Sequence, residues 1–112
     1  MLHKFVVSMP DVVLLRSRGR VYLEKNPDAF DIFLIIEVAD SSLEYDTTVK
    51  LGLYAILGIP EYWVADLQNN RLLVYSQPEG DTYRETRELQ RGDRVALQLL
   101  PDCEIPVELL LP

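Results

Sequence analysis

Five residues have the types and spacing to do chemistry together. Glu37 ends an apolar run, Ile32 to Ile36, and is followed by Val38 and Ala39, so it places a carboxylate near the end of a buried segment. An ionised carboxylate in a low-dielectric interior must be paired or bound to a cation, or it takes up a proton. Asp11, just before Val12 to Leu15, is one possible companion. If its segment pairs beside the Glu37 segment, two hard oxygen donors converge at one sheet edge, a donor set that suits Mg²⁺ or Mn²⁺. Asp46, Lys50 and Tyr54 follow at i, i+4 and i+8 and form one polar stripe of a helix. Two carboxylates, a cation and a lysine are the parts of metal-assisted phosphodiester hydrolysis, in which the lysine orients water or neutralises developing charge. Spacing alone leaves simpler roles open. Asp46 and Lys50 also fit a surface ion pair, Asp46 fits a helix N-cap, and Glu37 could be salt-bridged to an arginine. Pro-Asp occurs at 10–11, 27–28 and 101–102, so the dipeptide singles out no site.

The elements that must position these residues can be read from hydrophobic patterning. Residues 5–15 read as a strand bent at Pro10, which cannot donate to a ladder, and 16–20 as a turn. The run 32–39 lacks alternation and fits a strand covered on both faces, with helices on either side. Ser41 and Glu44 have capping-box spacing, and a helix is expected from there to about Leu57, closed by Gly58 and Pro60. Val49, Leu53, Ile56 and Leu57 mark its sheet-facing side. EYWVADL then reads as a strand parallel to the first, completing a right-handed βαβ unit. Turns at QNNR, PEGD and QRGD separate the strands RLLVYSQ, TYRETREL and VALQLL, giving C-terminal hairpins. The tail from Pro101 is expected along the edge of the core. Arg91 to Asp93 spell RGD, read here as turn chemistry.

At 112 residues the chain fits one domain, 1–112, and 48% hydrophobic against 26% charged residues describe a globular protein rather than a disordered one. Eleven basic against eighteen acidic residues leave a net charge of −7, which argues against a broad basic face for nucleic acid but not against local, metal-mediated binding. No apolar run is long enough for a bilayer, so no membrane partner is expected. The lone Cys103 forms no intrachain disulfide, reads as a free surface thiol and suits the cytoplasm. His3 and Lys4 read as a solvated arm.

Taken together, MPDVVLL, IIEVADSSLEYDTTVKLGLYAILGIPEYWVADL and RLLVYSQPEGDTY resemble the bacterial restriction-endonuclease-like (Uma-two) family of the PD-(D/E)xK nuclease superfamily. The resemblance implies an α/β fold, a mixed-sheet αβββαβ core with its site at one sheet edge. It also implies an Mg²⁺- or Mn²⁺-dependent endonuclease acting on DNA. Asp11 matches the PD aspartate and Glu37 the second acidic residue; with the Val38 main-chain carbonyl they would hold the metal. The superfamily's lysine commonly stands two residues after that acid, where this chain has Ala39; here Lys50 on the following helix matches it. Asp46 and Tyr54 match supporting positions. Only ten residues precede Asp11, so much of the family's N-terminal helical segment is expected to be missing, with one sheet face uncovered and a homodimer as one outcome. The alternative function is a catalytically inactive remnant serving as a dimerising or partner-binding module.

Overall fold

The computed structural model describes residues 11–15 and 29–111. Five strands form one mixed sheet in sequential order: β1 (Val12–Leu15), β2 (Ile32–Ala39), β3 (Glu61–Asp66), β4 (Arg71–Glu79) and β5 (Thr82–Gln90). β2 and β3 are parallel and the other neighbours antiparallel. This mixed α/β arrangement is a restriction-endonuclease-like fold. The expected strand over 5–15 is seen from Val12; its earlier part, the 16–20 turn, His3 and Lys4 lie outside the described residues.

β2 and β3 are buried almost end to end, which is why their sequences do not alternate. Each face of the sheet nevertheless carries its own core. Ile35 and Ala39 of β2 join Tyr62 and Val64 of β3 on one side, while Leu34 and Ile36 join Trp63 and Ala65 on the other. The β1–β2 register shifts between Leu14 and Leu15, where Leu14 pairs with Leu34 but Leu15 with Ile32. Phe33, skipped by that shift, joins the same core as Leu34. Complete burial of Leu34, Ile35 and Val64 contributes about 1.5–3 kcal/mol each.

Among the described residues α-helices cover only one face, and the connection between β2 and β3 holds both: α1 (Leu43–Thr47) and α2 (Val49–Ile56). The expected continuous helix breaks at Thr48 (φ −125°, ψ −75°), after two adjacent threonine hydroxyls bond back to earlier carbonyls: Thr47 to Leu43 (2.8 Å) and Thr48 to Glu44 (2.5 Å). Neither expected N-cap forms. Ser42 occupies the cap position without a side-chain cap bond, and Asp46 lies inside α1. Gly58 closes the segment at φ +75°, as its type requires.

The expected apolar face of the helix is half borne out and half corrected, since Leu53 and Leu57 pack against the helix-side core. Val49 and Ile56 are exposed, at 57% and 68%, whereas Lys50, Tyr54 and Ala55 are buried. The polar stripe therefore docks on the sheet beside Leu53 and Leu57, because its charges neutralise one another there. Tyr62 of β3 and Tyr54 meet edge to face at 5.0 Å, and the Tyr62 hydroxyl donates to the Asp46 carbonyl (2.8 Å).

The second face is covered by a hairpin rather than by helices. β6 (Arg94–Leu97) pairs with β7 (Leu100–Pro106), and a 3₁₀ turn over Val107–Leu110 follows. Val95, Leu97, Val107 and Leu111 pack into the Trp63 core. The tail expected along the core edge is thus a strand to Pro106 followed by a 3₁₀ turn that packs into the core, and the face expected to be uncovered is covered. Two turn boundaries also shift: β4 runs through Pro78 to Glu79, and VALQLL divides between β6, a turn and β7.

Glu61 fastens this hairpin to the sheet. Its buried carboxylate accepts from the Trp63 indole N–H on Oε1 (3.0 Å) and from the Gln98 backbone N–H on Oε2 (2.7 Å).

Candidate functional site

The alternation of β2 decides where Glu37 points. Ile35 and Ala39 both belong to the helix-side core, so Glu37 between them faces the helices. There it meets α2. Lys50 Nζ lies 3.0 Å from Glu37 Oε2, and the Tyr54 hydroxyl donates to that same oxygen at 3.1 Å. Lys50 also stands 3.5 Å from Asp46 Oδ1, so one ammonium bridges two carboxylates. Ser42 Oγ donates to the other Asp46 oxygen (2.7 Å), fixing that carboxylate. All three charged side chains are almost fully enclosed, with Glu37 and Asp46 2% and Lys50 7% exposed.

Asp11 reaches the next residue along. Its Oδ2 accepts the Val38 backbone N–H at 2.6 Å, across a separation of 27 residues. In an extended strand the N–H and C=O of one residue leave by the same edge, so the Val38 carbonyl also faces the β1 side. The geometry brings four of the five residues, Glu37, Asp46, Lys50 and Tyr54, into one bonded group and sets Asp11 beside it. Both bonds to Glu37 fall on Oε2; Oε1 accepts none among the described residues, nor does Asp11 Oδ1. Among those residues no group of three or more His, Cys, Asp or Glu side chains is placed to hold a metal. A cation here would draw on two carboxylates, a main-chain carbonyl and water, a supply Mg²⁺ accepts.

Burial governs the electrostatics. Desolvation pushes the Glu37 carboxyl above its ordinary value, although Lys50 and Tyr54 both pull it down. For Lys50 burial works to lower the pKa, but Glu37 and Asp46 together outweigh it and the net shift is upward. The asymmetry follows from sharing: Lys50 gains two counter-charges, whereas Glu37 has half a claim on one. Burial, then the adjacent Glu37 charge, drives the Tyr54 phenol well upward, so it stays a hydrogen-bond donor.

Sequence reasoning missed the supporting layer. Ser42 stands four residues before Asp46, a helix-neighbour spacing that would have found it. Tyr62 is sixteen residues from Asp46, and no local signal connects them. Ala39, where the resemblance notes a missing strand lysine, is completely buried beneath the helices in the core that includes Tyr54, Ala55 and Ile59.

No helix among the described residues is long and apolar enough to cross a membrane. Comparison finds no matching curated protein and no matching solved structure. A family model does match, over residues 7–108, and that span contains every residue of the site. The chain belongs to the Uma2 family, described as putative restriction endonucleases.

Proposed function

We propose that this protein is a metal-dependent endonuclease that hydrolyses DNA phosphodiester bonds. The observation that carries the reading is the Lys50–Glu37 pair at 3.0 Å, fixed by Tyr54 and set one residue from the Asp11–Val38 contact. Asp11 Oδ1, Glu37 Oε1 and the Val38 carbonyl are hard oxygen donors on neighbouring positions and fit Mg²⁺ or Mn²⁺. Such a cation supplies Lewis-acid polarisation of the phosphate and acidification of water.

The chain's own residues supply the rest. Tyr54 and Lys50 hold Glu37 through Oε2, and among the described residues no donor engages Oε1, which a ligand could then use. Asp46, held by Ser42, keeps Lys50 charged. The Lys50 ammonium orients the attacking water or offsets charge developing on the phosphate. Incubation of plasmid with the purified protein and Mg²⁺ or Mn²⁺ tests this. Nicking should appear in the wild type and fall at least about 100-fold in Glu37→Gln and Lys50→Ala, the scale for losing a charge-stabilising group. Activity unchanged in both variants would refute the assignment.

The near-complete enclosure of Glu37 favours a second reading, a catalytically inactive module in which the Glu37–Lys50 pair is only structural. Manganese titration separates the two: a folded protein with no Mn²⁺ binding at millimolar concentration supports the second.

A further inference from the structure

β5 ends the sheet, and among the described residues nothing pairs with its outer edge. Five consecutive residues, Arg84, Glu85, Thr86, Arg87 and Glu88, are exposed, so both faces of that edge are open to a partner. A bare edge strand is a template for strand addition, and charged residues restrict what can add. Here the order of the charges specifies the partner. Read against its own reverse about Thr86, the strand sets Arg84 opposite Glu88, Glu85 opposite Arg87, and Thr86 opposite itself. Opposite charges directly across an antiparallel pair stabilise it, and like charges destabilise it. Slipping the register by two residues in either direction sets Glu85 or Arg87 against its own counterpart.

The remaining contacts of these side chains agree. Arg71 holds Glu88 (2.7 Å), Glu79 holds Arg84 (3.3 Å), and among the described residues Glu85 accepts only the Gln77 amide (2.6 Å). Arg87 has no ion-pair partner among the described residues. The cross-pair with most to gain is therefore Arg87 with Glu85, and a two-fold dimer makes it twice.

We infer that the β5 edge binds a second copy of this chain, joining two sheets antiparallel about Thr86 into one ten-stranded sheet. The inference is independent of the chemistry proposed above. Sedimentation of the full chain should give twice the 12.9 kDa chain mass at roughly 100 μM, a concentration that populates even a weak interface. Arg87→Glu should raise the dimer dissociation constant by about tenfold or more, since it sets carboxylate against carboxylate. The double variant Glu85→Arg/Arg87→Glu restores complementary charges and should return to within roughly threefold of the wild type. Circular dichroism confirms that these exposed substitutions leave the fold intact. A monomer at that concentration, a dimer indifferent to Arg87→Glu, or a double variant that fails to recover would each overturn the inference.

Discussion

Replacing Lys50 with methionine keeps an unbranched side chain one atom shorter and removes the only ammonium that, among the described residues, bonds Glu37 and Asp46. Glu37, 2% exposed, must then remain a buried anion or take a proton. Protonation sets the ceiling on the loss. At pH 7 it costs about 1.4 kcal/mol per pH unit over the roughly 2.7 units above the ordinary glutamate value, or about 3.7 kcal/mol. The folded-state pKa of Glu37 is already raised, so part of that cost is present in the wild type, and the variant should lose less than the ceiling, about 2–3 kcal/mol at pH 7. The sign with pH follows. Removing the lysine raises the folded pKa of Glu37 further, so the folded variant binds more protons than the unfolded chain. The variant's deficit therefore grows as pH rises through the wild type's own raised folded value, where only the wild type ionises, and stops shrinking below it. Urea denaturation of wild type and Lys50→Met at pH 5, 6 and 7 measures it. A deficit that is equal at pH 5 and 7 would refute the claim that Glu37 depends on Lys50 for its charge.

Asp66 behaves in the opposite sense. Burial acts to raise its pKa, but Arg71 Nε at 2.7 Å and the Asn69 backbone and side chain outweigh burial and hold it below the usual carboxylate range. Its contribution is full above the unfolded value near pH 3.9 and is lost as pH falls through the lowered folded value. Asp66→Asn should cost stability at pH 7 and flatten the acid limb, as read from urea midpoints between pH 7 and 3. Glu61→Gln sets an amide against one of two N–H donors and should cost about 1–3 kcal/mol. Fluorescence of Trp63, the single tryptophan, reports that unfolding directly. Gly58→Ala, at φ +75°, should cost about 1 kcal/mol in thermal denaturation although no neighbouring atom obstructs the added carbon.

Much of this architecture is legible along the chain, and the parts that are not share a cause. The apolar run 32–39 and the turn residues Gly58, Asn70 and Gly92 mark their elements because each answers to local backbone or burial demands. The polar stripe Asp46–Lys50–Tyr54 is equally visible by spacing. Which side of the helix it occupies is not, because four apolar residues outvote three polar ones until Glu37 supplies the buried counter-charge. The β7 strand hides behind Pro101 and Pro106, which ordinarily argue against a strand but are tolerated in a two-stranded edge. Asp11 bonding Val38 and Glu61 bonding Gln98 join residues 27 and 37 positions apart, and no periodicity reaches that far.

The packing around Ala39 has a consequence for descent within such folds. Its methyl group is sealed beneath the helices, in the same core as Tyr54 and Ala55 of the helix that delivers Lys50. A lysine at position 39 would have to occupy space this docking has closed, so a strand-borne and a helix-borne ammonium exclude each other. A chain halfway between the two arrangements would have either colliding side chains or no ammonium at all. In this chain, introducing a lysine at position 39 would therefore require the helices to repack on the sheet rather than a local adjustment.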